Sequence, residues 1–93
     1  MIKTFQCRDT ERVFNFELVR KWEPGLLKAA LRKLKWLDAA ADLNDLRVPP
    51  ANRLEKLKGD REGQHSIRVN DQYRLCFVWR NGHAYDVELV DYH

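Results

Sequence analysis

The chain has only two cysteines, Cys7 and Cys76, in 93 residues. They are too few and too isolated for a zinc centre, which needs paired ligands at short spacing, and in a reducing compartment they need not form a disulfide. Both read as small core or sheet residues, so the chemistry expected here uses no metal and no cofactor. Long apolar runs are also missing. Nothing approaches the about 20 residues of a membrane span, and Met1, Ile2 and Lys3 lead straight into a strand-like segment with no signal-peptide core. The expectation is a cytoplasmic protein with no membrane partner. Positive charge is absent from the last thirteen residues, which carry Asp86, Glu88 and Asp91 but no Lys or Arg.

What is present describes one folded domain spanning residues 1–93. Hydrophobic residues make up 44% and charged residues 33%, a balance that excludes a disordered chain. A domain this small has a modest core, and a partner can help stabilise it. The net charge of +3 is mild, but residues 52–80 hold seven basic residues against four acidic ones. A basic middle next to an acidic tail is compatible with a polyanion lying near a proton acceptor. Charge alone favours the other reading, a solvated sheet face with cross-strand ion pairs.

Residues 2–7 read as a short strand, followed by a helix from an Asp9 or Thr10 N-cap to about Leu18. Pro24 suits the first turn of a second helix, about 24–41. Its apolar stripe is Leu27, Ala30, Leu34, Leu37 and Ala41, at a 3.6-residue repeat. Lys28, Arg32 and Lys35 line the opposite face and Lys33 flanks the stripe. Pro49-Pro50 ends this region and makes Val48 extended. Beyond it the period switches to two, giving strands at about 53–57, 64–69, 72–80 and 83–91. Asn81-Gly82 is the strongest turn signal among them. The fold class is therefore α+β: an N-terminal strand, two helices, and an antiparallel meander whose sheet carries the helices on one face.

Alternation assigns Ile67, Val69, Leu75, Phe77, Trp79, Tyr85, Val87 and Leu89 to the face under the helices. Ser66, Arg68, Arg74, Cys76, Asp86 and Glu88 fall on the other. Tyr92 shares that polar face if the last strand stays regular, whereas Asp91 and His93 point the opposite way. Either the strand bends or these three do not share one site. His65 has the parity of Ile67 and reads as a partly buried sheet residue; His83 follows the turn and reads as solvent-exposed. Trp22, Trp36 and Trp79 read as core or partner contacts.

The open face offers Arg68 and Arg74, the first hairpin offers Lys56, Lys58 and Arg61, and the terminus offers Asp91, Tyr92 and His93. Cutting RNA without metal needs a base for the ribose 2′-hydroxyl, cations for the phosphate and an acid for the leaving oxygen. A guanidinium suits the phosphate because its planar fork donates paired hydrogen bonds. An aromatic ring can stack on a base.

The segment RLEKLKGDREGQHSIRVNDQYRLCFVW followed by VELVDYH resembles the HigB family of type II toxins, within the RelE/ParE-like superfamily. The similarity in pattern runs over essentially the whole chain. It implies a RelE/ParE-like fold and a ribosome-dependent endoribonuclease that cleaves translated mRNA and inhibits translation. It also implies a HigA-like helix-turn-helix antitoxin and, through their complex, operator DNA. The family's functional residues fall on Lys58, Arg74, Asp91, Tyr92 and His93. Glu55 stands three residues before Lys58, where some relatives carry His. An ionised Glu accepts a proton but cannot donate one, so it is expected as an accessory base. Lys56, Arg61 and Arg68 are the further RNA-binding candidates. Two alternatives are a non-catalytic gyrase inhibitor, as ParE-like relatives are, and a chain whose main role lies in an operator-binding complex with its antitoxin.

Overall fold

A computed structural model describes residues 1–92. Asn81 and Gly82 take positive φ angles of 53° and 80°, as a tight primed turn requires. They join β3 (Tyr73–Arg80) to β4 (His83–Asp91). β1 (Glu55–Lys56) and β2 (His65–Arg68) complete a four-stranded antiparallel sheet in the order β1-β2-β3-β4. This is the expected meander, with a first strand shorter than the alternation implied. The N-terminal segment lies parallel to β4 through two bridges, Ile2 to Ala84 and Phe5 to Val87.

The register of β4 slips at one place. Cys76 pairs with Glu88, but Val78 pairs with Tyr85, so β4 holds one residue more than β3 between these pairs. Asp86 sits in that interval at φ 53°, a left-handed conformation that Asp tolerates better than most residues. Thr4 secures it: Asp86 N–H donates to Thr4 Oγ1 at 2.8 Å. The bulge corrects the expected faces. Ala84, fully buried, turns toward the helices, whereas Tyr85 lies on the outer face with the Arg80 guanidinium 4.3 Å above its ring.

Two helices, α1 (Arg8–Phe14) and α2 (Pro24–Ala39), cover the inner face. α1 is shorter than the pattern predicted, and its N-cap is Cys7 instead of Asp9 or Thr10. Thr10 has another task, accepting a hydrogen bond from Leu89 N–H at 3.0 Å in the interior. The C-terminal stop is a Schellman motif: Glu17 N–H donates to Arg12 O at 2.9 Å and Phe16 N–H to Val13 O at 3.0 Å. The left-handed position of that motif, usually glycine, is Phe16 at φ 66°.

α2 starts as expected, with Pro24 in its first turn and the Glu23 carboxylate accepting from Leu26 N–H at 2.8 Å. Leu26, Ala30, Leu34 and Leu37 pack with Ile67, Leu75, Phe77 and Val87 in a single core cluster. Each large apolar side chain enclosed there contributes roughly 2 kcal/mol. Ala41 lies past the helix end and is exposed, and Leu27 is only half-buried. Lys33 is buried instead, its ammonium donating to Asn52 Oδ1. Among the described residues, no helix is long and apolar enough to cross a membrane.

Candidate active site on the open sheet face

Register decides which side chains share the outer face. Arg74 pairs with Arg68 on one side and Val90 on the other; Ser66 pairs with Cys76 and with Glu55. Paired residues point to the same side of an antiparallel ladder, so Glu55, Ser66, Arg68, Arg74, Cys76 and Glu88 form one surface.

Arg74 is its centre and is only 9% exposed. Its Nε donates to Ser66 Oγ at 2.7 Å. Nη2 donates to the Arg53 carbonyl and, at 3.4 Å, to the Ser66 carbonyl. Arg53 presents that carbonyl from a left-handed conformation, φ 44°, at the end of the short 3-10 turn Pro50–Asn52. Two of the three guanidinium nitrogens are therefore committed to the protein. The third, Nη1, lies 3.7 Å from Glu55 Oε2, and Glu55 is half-exposed. An ion pair that open to water is weak and exchangeable. The Tyr92 ring, 45% exposed, lies 6.0 Å from the guanidinium carbon. The result is a cation fixed in place with one nitrogen left for an anion, next to an accessible aromatic plane and a carboxylate.

Arg61 bends over the same face, donating to Gln64 Oε1 at 3.1 Å and to Glu88 Oε1 at 3.3 Å. Cys76 lies beneath. Burial pushes its thiol up, Glu88 adds to that, and Arg61 and Arg74 act against it. The thiol is fully enclosed and stays protonated, so it is no nucleophile. Arg68 shares the face and pairs with Asp71. Lys58 is exposed at the start of the short 3-10 turn Gly59–Arg61.

Other candidates are not brought together. Lys56 pairs with His65 and so takes the opposite side of the sheet from Arg74. Asp91 pairs with Tyr73, which puts it across the strand from Tyr92, and its carboxylate accepts from Gln72 Nε2 at 3.0 Å. Past the bulge at Asp86, β4 thus stays in register through Asp91 instead of bending at its end. His93 lies outside the described residues. His65 stacks on Phe77 with ring centroids 6.3 Å apart. Burial lowers its pKa, as do Lys56 and Arg47, and its buried Nδ1 has no hydrogen-bond partner among the described residues. His83 differs from expectation: it is half-buried with an enclosed Nδ1, because the N-terminal residues pair alongside β4 at Ala84.

The model of the HigB-like toxin, described as the RelE-like toxin of the type II toxin-antitoxin system HigB, matches residues 3–93. The chain belongs to this family. Toxin HigB-1 of Vibrio cholerae is 42% identical over 90 residues, covering 96% of this chain and 95% of that protein. Endoribonuclease HigB of Proteus vulgaris is 39% identical over 93 residues, the full length of both. A solved YoeB–YefM complex from Staphylococcus aureus superposes with a TM-score of 0.62 over 100% of this chain and 98% of that one, at 19% identity. The RelE-like α+β fold expected from the sequence is thereby shown.

Sequence reasoning named Arg74 and Tyr92 as candidates, and the structure places them side by side, but it missed what holds Arg74. Ser66 was placed on the right face without a role, and the Arg53 carbonyl left no side-chain signal. The same holds for the Lys33–Asn52 bond that anchors the segment before Arg53. A lysine beside an apolar helix stripe, 19 residues before a buried asparagine, does not announce their contact.

Proposed function

We propose that this HigB-like chain is an endoribonuclease that cleaves mRNA on the translating ribosome, without metal, by in-line attack of the 2′-hydroxyl on the adjacent phosphorus. Arg74 carries the proposal: its guanidinium is held by Ser66 and the Arg53 carbonyl, and Nη1 faces only the half-exposed, exchangeable Glu55 carboxylate. A fixed donor of this kind stabilises charge developing on a phosphoryl oxygen without having to reorganise. Tyr92 stacks on or orients the RNA beside it, and Lys58 adds a second cation. Asp91 and His93 are the proposed proton-transfer residues. Glu55 is the accessory acceptor, neutralising Arg74 until phosphate arrives. Lys56, Arg61 and Arg68 contribute to RNA binding. The name of the Proteus vulgaris relative supports the cleavage reaction.

In-line attack leaves a 2′,3′-cyclic phosphate on the upstream fragment. Mass spectrometry of mRNA cut in a cell-free translation system is expected to show that end. A plain 3′-hydroxyl refutes the mechanism; equal cleavage of naked RNA refutes ribosome dependence. The partner proposed from family membership and from the YoeB–YefM complex is an antitoxin, of HigA-like helix-turn-helix type, and through it operator DNA.

A further inference from the structure

On the helical side, away from Arg74, Val13, Phe16, Leu18, Leu27 and Leu31 line an open groove of about 350 Å³ between the end of α1 and the first half of α2, together with Lys28 and with Glu17, whose carboxylate is paired with Arg12. Its lips are the least covered large apolar side chains among the described residues: Phe16 is 72% exposed and Leu18 65%. Phe16 also occupies the left-handed Schellman position, where glycine is the unstrained choice. An aromatic ring is thus held in water on a backbone that resists it, with the Lys35 ammonium 4.6 Å from its centre. Strained, exposed anchors of this kind mark contact sites.

Charge indicates what the groove accepts. Leu27 and Leu31 are one helical turn apart, and Lys28 and Arg32 follow each by one residue, making a cationic row beside the apolar one. Neither Lys28 nor Arg32 forms an ion pair among the described residues. An apolar floor suits no phosphate backbone, which is gripped by donors. It suits an amphipathic helix whose apolar residues recur every three or four positions and whose flank is acidic.

We infer that this groove docks an acidic amphipathic helix of the antitoxin, an inference that rests on the toxin-antitoxin reading above. Phe16 and Leu18 grip its apolar side, and Lys28, Arg32 and Lys35 pair with its carboxylates.

The test uses the antitoxin encoded by the adjacent reading frame, purified and titrated calorimetrically into the full chain. The Phe16→Gly/Leu18→Ser double variant is expected to bind at least about tenfold more weakly. Its thermal midpoint should be unchanged or higher, since glycine relieves the backbone at position 16. Lys28→Glu/Arg32→Glu is expected to weaken binding and flatten its dependence on salt, whereas Val48→Ser, an exposed apolar residue elsewhere, changes neither. Wild-type affinity in both groove variants overturns the docking site and leaves the toxin-antitoxin reading standing. No adjacent antitoxin, or none that binds the wild type, overturns both. Loss of self-association in sedimentation, with antitoxin binding unaltered, makes the groove a contact between copies and equally overturns the proposal.

Discussion

Asn52 is the residue whose loss should reach furthest. It is fully buried and joins three parts of the chain. Its Oδ1 accepts from Lys33 on α2, and its Nδ2 donates to Leu46 O at 3.2 Å and, more weakly, to Val48 O at 3.5 Å. Lys33 is itself buried, and desolvation followed by repulsion from Arg32 and Arg68 lowers its pKa below the usual lysine value. Asn52→Ala removes a charge-assisted bond of roughly 1.5–3 kcal/mol and a neutral one of about 1 kcal/mol. It also leaves an enclosed ammonium and a carbonyl unpaired, bringing the total to about 3–5 kcal/mol. A domain of this size has about 5–14 kcal/mol in all. Lys33→Met removes the buried charge along with the bond, so only Asn52 Oδ1 is stranded and the net loss is about 1 kcal/mol. Urea unfolding at pH 7 measures both, and Asn52→Ala should lose several times more than Lys33→Met. Arg53, whose carbonyl seats Arg74, follows Asn52 directly, so Asn52→Ala should also lower cleavage at temperatures where it remains folded. Equal losses in the two variants would refute the argument that the stranded charge dominates.

Arg74→Lys keeps the charge but gives up the fork held by Ser66 and Arg53, and cleavage in a translation assay should fall about 100-fold with the circular dichroism spectrum unchanged. Ser66→Ala leaves Nε unpaired and should lower cleavage about tenfold, mainly in kcat, with Ser66→Thr closer to wild type; a change in stability alone would remove Ser66 from the site. His65 has a folded pKa below its unfolded value, so the unfolded chain takes up the proton first. Stability should therefore be full above about pH 6.5 and decline as the pH falls through the folded pKa, and His65→Gln should flatten that decline in urea midpoints measured from pH 7.5 to 5. Thr10→Val strands Leu89 N–H in the interior and should cost about 1–3 kcal/mol by the same unfolding assay.

The elements that could be read from sequence are those with a repeated or local signal. α2 announced itself through its period and Pro24, and the β3–β4 hairpin through Asn81-Gly82. What escaped was set by single residues in unusual conformations. Phe16 ends α1 where a glycine would have given notice, and Asp86 bulges β4 with a residue that looks like an ordinary polar strand position. Lys33 resembles a flank of the cationic stripe until Asn52 is seen opposite it.

These misses leave most of the candidate face intact for a geometric reason. The Asp86 bulge lies between the hairpin turn and the site, so it flips Tyr85 and Ala84 but leaves Val87 through Val90 in the parity that alternation assigns. Val87 and Leu89 are held inward by the core, which forces Glu88 and Val90 outward and carries Tyr92 onto the face of Arg74. Removing the bulge would require either Ala84 to leave the interior or Val87 and Leu89 to do so. The second exposes more apolar surface and is the costlier. The hydrophobic core thus fixes the register that unites Arg74 with Tyr92. By the same rule it puts Asp91 on the other side of the strand, so any proton transfer by Asp91 has to reach the RNA around the end of β4 instead of across the face.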